Sequence, residues 1–356
     1  MRPMKNWLLY CRPGFERDCV QETLRQAQPQ QPVIALQLPI EINSGYALVA
    51  LNEQKLSYRE LIFVRQLIRL HQTIPVLPER DRLTPILEAI NTMSGTFSTL
   101  WLEVPDTNAG KLLSTFTRRF QPLLETALRE QGRLLDTREN TNSPHLRLHI
   151  FFPDKSSALI GTSDPHNSAP TIMGIARQSM PPEAPSRSTL KLAEAIEVFM
   201  DRSEQKRLLR QGMQAVDLGA APGGWTWQMV QRGIRVTAVD NGPMKGAMSK
   251  HPLVQHLRQD GFKYMPARAV DWLLCDMVEQ PSKVATLIGT WFVAGLTKHA
   301  IFNLKLPMKQ RVVALENALG GIRTRLDQEG INYRMLAKQL YHDREEVTVF
   351  ITRTKG

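Results

Sequence analysis

Residues 214–225 read Gln-Ala-Val-Asp-Leu-Gly-Ala-Ala-Pro-Gly-Gly-Trp. A short apolar run enters a turn dense in glycine, and Trp225–Arg232 continues at helical spacing. Such a strand–turn–helix step lets a ligand lie against bare backbone, because glycine carries no Cβ. The spacing Gly-Ala-Ala-Pro-Gly-Gly is not the Gly-x-Gly-x-x-Gly of a dinucleotide turn, and no Gly-Lys-Ser/Thr follows as in a phosphate loop. Asp240 ends the next apolar run, Arg235–Val239, about 20 residues on, where a carboxylate can accept from both ribose hydroxyls. Further strands are predicted at Gln214–Leu218, Val270–Cys275, Ala300–Lys305 and Val347–Thr352, and helices at Leu190–Arg210, Lys283–Ala294 and Gln310–Gln328. This alternation predicts an α/β fold with a mostly parallel sheet covered on both faces and ligands at the strands' carboxyl ends.

The 356 residues carry 45 Lys+Arg against 34 Asp+Glu, a net charge of +11 that points to an anionic partner, nucleic acid first. Three cysteines without a Cys-x-x-Cys pair argue against a disulfide framework or zinc knuckle and fit a reducing compartment. No run of about 18 apolar residues occurs, so a soluble, cytoplasmic protein without a membrane partner is expected. His145 and His149 lie close together, but nothing joins them at metal spacing, and no metal is expected. The best boundary is the Ser- and Pro-rich stretch around residues 166–187, which reads as a linker; Arg177 and Arg187 lie in it and could reach a ligand.

Before the linker, helical spacing occurs at Phe15–Gln28, Leu61–His71, Leu83–Met93 and Lys111–Glu130. Strands are predicted at Val33–Leu38, Tyr46–Leu51, Leu100–Val104 and Leu146–Phe152, the last half-buried with His149 on its wet face. Two small α+β units result, at residues 1–80 and 81–165, ahead of the α/β unit at 188–356. Their arginines and lysines, Arg65, Arg69, Arg118, Arg119 and Arg147 among them, could track a phosphate backbone or simply be solvated.

Asp217 to Thr226 resembles the S-adenosylmethionine (SAM) turn of the Rossmann-like RNA 2′-O-ribose methyltransferases of the FtsJ type. Those enzymes share a lysine–aspartate–lysine–glutamate set, and matching residues stand here as Lys191, Asp276, Lys305 and Glu346, with Glu345 a competing candidate. The whole chain resembles the bacterial large-subunit rRNA methyltransferases that place a ferredoxin-like unit and a THUMP-like RNA-binding domain before the catalytic half. That resemblance implies a single cytidine of 23S rRNA as target; methylation before the subunit is completely assembled, if the target is buried there, and a monomeric enzyme are further expectations.

The chemistry can be argued beside the resemblance. A ribose 2′-hydroxyl needs a base aligned with the electrophile, and a lysine can serve if burial and a neighbouring cation depress its pKa. Lys305 interrupts an apolar strand at its carboxyl end and is the candidate base. Lys191 would be the neighbouring cation, while Asp276 and Glu346 would orient the ammonium groups. For the cofactor, Ala221, Pro222, Gly223 and Gly224 form the turn and Asp240 takes the ribose. Asp260 suits the adenine amino group or simply makes an Asp-Gly turn, Asp276 lies near the sulfonium, and Ser188 either caps a helix or meets the methionine end. Trp225 and Trp227 read as helix packing rather than base stacking. Other readings are a SAM-holding RNA assembly factor without catalysis, a nicotinamide-dependent oxidoreductase and a base methylase. Intact Lys305 and Asp276 weigh against the first, and the turn spacing and charge against the second. The third resembles an Asn/Asp-Pro-Pro-Tyr/Phe motif, where Asp276-Met277-Val278 stands instead.

Overall fold

A computed structural model describes residues 5–27, 40–51, 56–135 and 145–355. The expected strand Val33–Leu38 lies outside the described residues. Contacts divide the chain into two units, Met1–Ile175 and Ala176–Gly356.

The first unit runs β1 (Lys5–Tyr10), α1 (Glu16–Ala27), β2 (Tyr46–Leu51), β3 (Gln66–Ile74), α2 (Leu83–Asn91), β4 (Thr99–Glu103), α3 (Asn108–Lys111), α4 (Ser114–Glu130), β5 (Arg147–Phe151) and β6 (Ala158–Ser163). Its strands form one six-stranded sheet in the order β2-β1-β3-β6-β5-β4, in which β3 from residues 1–80 pairs with β6 from residues 81–165. In α1 the apolar face is Cys19, Val20, Leu24 and Ala27, all buried, as the helical spacing demands.

Two expectations fail here. Leu61–His71 is not helical: Gln66–Ile74 is a central strand held by β1 on one side and β6 on the other. Apolar residues at 61, 64, 67 and 68 mimic a helical stripe, and pairing on both edges overrides it. Nor is β5 half-buried, because His149 is fully sealed. Its Nδ1 lies 2.7 Å from Glu103 Oε2 and its Nε2 2.8 Å from Ser163 Oγ, while the Tyr10 hydroxyl and the Met173 N–H also donate to Glu103. These are the contacts of a hydrolytic triad, but all three residues are almost wholly buried, so the cluster is a satisfied structural pin. Residues 166–175 are likewise tied down: Gln66 and Arg147 both hydrogen-bond Ala169, and a Cβ on Gly174 would lie 1.8 Å from the Arg65 carbonyl oxygen.

The second unit runs α5 (Thr189–Phe199), α6 (Arg202–Leu208), β7 (Gln214–Leu218), α7 (Gly224–Val230), β8 (Arg235–Val239), β9 (Val254–Leu257), β10 (Val270–Cys275), α8 (Pro281–Val293), β11 (Thr297–Lys305), α9 (Arg311–Gln328), β12 (Tyr333–Lys338) and β13 (Glu346–Arg353). The sheet order is β12-β13-β11-β10-β7-β8-β9. From β11 to β9 every pairing is parallel; β13 runs antiparallel to both β11 and β12. This is the doubly wound, Rossmann-like sheet that the alternation predicts. The helix expected over Leu190–Arg210 is two helices, because Met200 is extended and the Asp201 side chain accepts from Glu204 N to start α6. Trp272, Trp291, Phe302 and Phe350 fill the core. Among the described residues no helix is long and apolar enough to cross a membrane.

Candidate active site

Four charged side chains meet at the carboxyl ends of β10 and β11. Antiparallel register sets Lys305, the last residue of β11, opposite Glu346, the first of β13. Lys305 Nζ donates to Glu346 and, over 2.6 Å, to Asp276 Oδ1 just beyond β10. Lys191 Nζ, from the first turn of α5, donates to the other Glu346 oxygen and lies 3.6 Å from Asp276 Oδ2. Two cations and two carboxylates thus alternate with no net charge, each mostly buried. Glu345 is 60% exposed and pairs instead with Arg311, so Glu346 is the glutamate of the cluster.

The electrostatics correct one expectation. Burial lowers the pKa of Lys305, but Asp276 and Glu346 outweigh it and hold the group above its ordinary value. The neighbouring carboxylates, not the neighbouring Lys191, decide the sign.

A pocket beside the cluster is lined by Ser186, Ser188, Gly219, Ala220, Ala221, Pro222, Trp225 and Asp276, so Asp276 belongs to pocket and cluster alike. Gly223 leads into α7 at φ +112°, a left-handed value glycine adopts without strain. Gly224 permits a close approach: a Cβ there would lie 2.1 Å from Ser188 Oγ and 2.9 Å from Thr189 N. Ser188 precedes α5 but makes no capping bond; its hydroxyl sits 2.7 Å from that of Ser186 on the pocket wall. Asp240, just past β8, accepts from Ala221 N at 3.0 Å and Gly242 N at 2.7 Å, which fixes its carboxylate beside the turn. Asp260 is exposed and accepts from Phe262 N, the turn contact its Asp-Gly pair suggests. A Cβ on Gly261 would meet Met277 Sδ at 2.8 Å, and one on Gly219 would meet Met277 Cγ at the same distance, so Met277 joins the two loops. Trp225 and Trp227 are buried in the hydrophobic core, and Trp225 also lines the pocket.

Some site residues escape a reading of the sequence. Ser186 carried a signal only as the first serine of Ser-Arg-Ser before α5. Asn303, two residues before Lys305 and so on the same strand face, donates to Asp276 Oδ1 at 2.9 Å. Asp217 is fully buried below the turn and accepts from Thr226 Oγ1 at 2.6 Å. Burial pushes its carboxyl up to about 7, Asp276 and Asp240 adding to the effect and the Thr226 hydrogen bonds opposing it.

Known proteins agree with this architecture. Family models match residues 4–68 (RlmM ferredoxin-like domain), 81–164 (ribosomal RNA large subunit methyltransferase M, N-terminal) and 184–322 (FtsJ-like methyltransferase). The N-terminal models carry the ferredoxin-like name but not the name THUMP. A ribosomal RNA large subunit methyltransferase M of Laribacter hongkongensis is 51% identical over 98% of this chain and 96% of its own length. The protein of the same name from Methylococcus capsulatus is 46% identical over 97% of each chain, and that from Psychromonas ingrahamii 45% over 97% of this chain and 95% of its own. With such identity along nearly its entire length, and with an FtsJ-like catalytic half, the chain belongs to the ribosomal RNA large subunit methyltransferase M family.

Proposed function

We propose that this protein transfers the methyl group of SAM to the ribose 2′-hydroxyl of a cytidine in 23S rRNA, with Lys305 as the proton acceptor. The observation that carries the reading is Asp276, which both lines the pocket and accepts from Lys305 Nζ at 2.6 Å. A cofactor site and a proton acceptor are thus one residue apart, as transfer to a hydroxyl requires.

The pocket residues suit SAM. Asp240 offers carboxylate lone pairs to the ribose hydroxyls, Ala221, Pro222, Gly223 and Gly224 supply the turn, and Ser188 with Ser186 offers hydroxyls to the amino-acid end. Asp260 keeps Oδ2 for the adenine amino group while Oδ1 holds Phe262 N, and Asp276 gives the wall an anion that suits a sulfonium. When bound, the cofactor supplies an electrophilic methyl with a neutral thioether as leaving group, so the chain needs only a base and an aligned oxygen.

Lys305 Nζ takes the hydroxyl proton as the new O–C bond forms. The two carboxylates oppose this by keeping Lys305 protonated, and burial is the one influence that favours it. Lys191 keeps the Glu346 carboxylate paired and fixed. The net charge of +11 suits an RNA substrate.

The test is incubation with labelled SAM and unmodified 23S rRNA, beside Lys305→Ala. An alkali-resistant 2′-O-methylcytidine, lost in the variant, is the expected result. SAM binding without transfer overturns it in favour of a non-catalytic factor. Protein-free rRNA is expected to outperform finished subunits, and equal labelling of both refutes that preference.

A further inference from the structure

Asp276 is held by a line of hydrogen-bond contacts that no part of the reaction scheme uses. Asn303 Nδ2 donates to Asp276 Oδ1 at 2.9 Å. Thr348 Oγ1 lies 2.7 Å from Asn303 Oδ1, and 2.9 and 3.1 Å from the two oxygens of Asp343. All three residues are fully buried. Asn303 and Thr348 are register partners across β11 and β13, two positions deeper than the partners Lys305 and Glu346. Asp343 sits in the turn between β12 and β13 and accepts from Leu340 N at 3.0 Å.

The chain has only one consistent direction. A carboxylate accepts and cannot donate, so Asn303 must turn its amide nitrogen to Asp276 and its oxygen to Thr348. Thr348 has one hydroxyl proton, and Asn303 Oδ1 takes it. Its contact with Asp343 then requires that Asp343 donate, which only a protonated carboxyl can do. We propose that Asp343, Thr348 and Asn303 form a one-way hydrogen-bond relay that positions the Asp276 carboxylate, with Asp343 as the neutral donor at its buried end. The surroundings agree: burial pushes the Asp343 carboxyl well up, and the charges of Glu346 and Glu194 push it further. The same turn is tied to α5, which carries Lys191, because Glu194 accepts from Tyr341 N and His342 N and contacts His342 Nδ1. One turn therefore registers both the Lys191 helix and the Asp276 relay.

The inference rests on the methyl-transfer reading for its kinetic consequence, and its test separates the two. Thr348→Val keeps the shape and removes both ends of the hydroxyl's hydrogen bonding. It is expected to lower kcat for rRNA methylation about tenfold, the upper worth of one hydrogen bond between uncharged partners, with the KM for RNA within about twofold. Thr348→Ser and Asp343→Asn keep a donor at each step and are expected to recover kcat to within about threefold. Lys305 titration, read by carbon-13 at lysine Cε without RNA, is expected to move down in Thr348→Val and to match wild type in Asp343→Asn. Unchanged kcat and Lys305 titration in folded Thr348→Val overturn the relay, as does a tenfold loss in folded Asp343→Asn. If Thr348→Val does not fold, Asp343→Asn decides alone. If wild type transfers no methyl to rRNA, the proposed function falls and the Lys305 titration still decides the relay.

Discussion

Replacing Asp217 with Asn should make the protein gain stability relative to wild type as the pH rises. Asp217 is fully buried, and burial raises its carboxyl from 3.8 to about 7. An acid whose pKa is higher in the folded chain binds its proton more tightly there, so its contribution to stability is full below 3.8 and is lost as pH climbs to 7. Each pH unit in that window removes ~1.4 kcal/mol. Between pH 5 and 7 the wild type should therefore lose about 3 kcal/mol that the Asn variant keeps, and the difference should level off above 7. At ~2–4 °C per kcal/mol for a domain of this size, the gap in melting temperature should widen by roughly 5–10 °C. Asn keeps an acceptor for Thr226 Oγ1 and carries no charge; its amide nitrogen takes the place of Oδ1, which has no hydrogen-bond partner among the described residues, a cost equal at every pH that leaves the widening of the gap intact. Melting curves of both proteins at pH 5 and 8, without cofactor, make the measurement. A gap of equal size at the two pH values, or a variant that loses ground at pH 8, would refute the claim that Asp217 is ionised at a cost in the folded protein.

Three further outcomes follow from the geometry. Gly224→Ala should weaken SAM binding at least tenfold by titration calorimetry, because its Cβ would stand 2.1 Å from Ser188 Oγ and 2.9 Å from backbone Thr189 N, and the backbone contact has no flexible end to yield. The single-turnover rate should rise with pH from 6 to 9 with a logarithmic slope near one, since Lys305 is held above its ordinary pKa and only its neutral fraction accepts the proton; Lys305→Ala should cost about 10²–10⁴ in rate, and a flat wild-type profile would remove Lys305 from the base role. Glu103→Ala should destabilise the first unit by about 3–5 kcal/mol in denaturant melts, because it leaves His149, the Tyr10 hydroxyl and Met173 N without their buried acceptor.

How much could be read from sequence depended on whether the signal was local. Gln214–Leu218, Arg235–Val239 and Val270–Cys275 are apolar runs that end at a carboxylate or glycine, and each is a strand with those bounds. A buried parallel strand is mostly apolar, Asp217 being the buried exception in β7, so its limits are written in composition. β6 resisted because Ala158–Ser163 is short, holds a glycine and is buried on both faces, so it shows no alternation. β9 and β12 are edge strands of half-exposed, mixed residues, which lack the apolar run of a central strand. Leu61–His71 misled because its stripe is real, and only its neighbours β1 and β6 decide between the periods. At the site, Lys305 was visible as a charge inside an apolar strand. Its protonation was not, because that depends on Asp276 and Glu346 arriving from other strands.

The antiparallel strand β13 explains why those arrivals coincide. In a parallel sheet all strands deliver their last residues to one edge, and Leu218, Val239, Cys275 and Lys305 end there accordingly. A further parallel strand could bring only its final residue. By running the opposite way, β13 brings its first residue, Glu346, to the edge where β11 ends. The turn that precedes it, with Asp343, lies at the same edge. Register then does the selecting. Neighbouring residues on a strand face opposite sides, so Glu345 and Glu346 cannot both reach Lys305. Glu345 pairs with Arg311 at the start of α9, while Glu346 and, two positions on, Thr348 share the face of Lys305 and Asn303. A slip of one residue would set Val347 or Glu345 opposite Lys305, and either slip would place a valine, Val349 or Val347, opposite Asn303 and empty that contact. Glu346 is thus the partner of Lys305 only in the register that also sets Thr348 against Asn303, and the relay survives in no other.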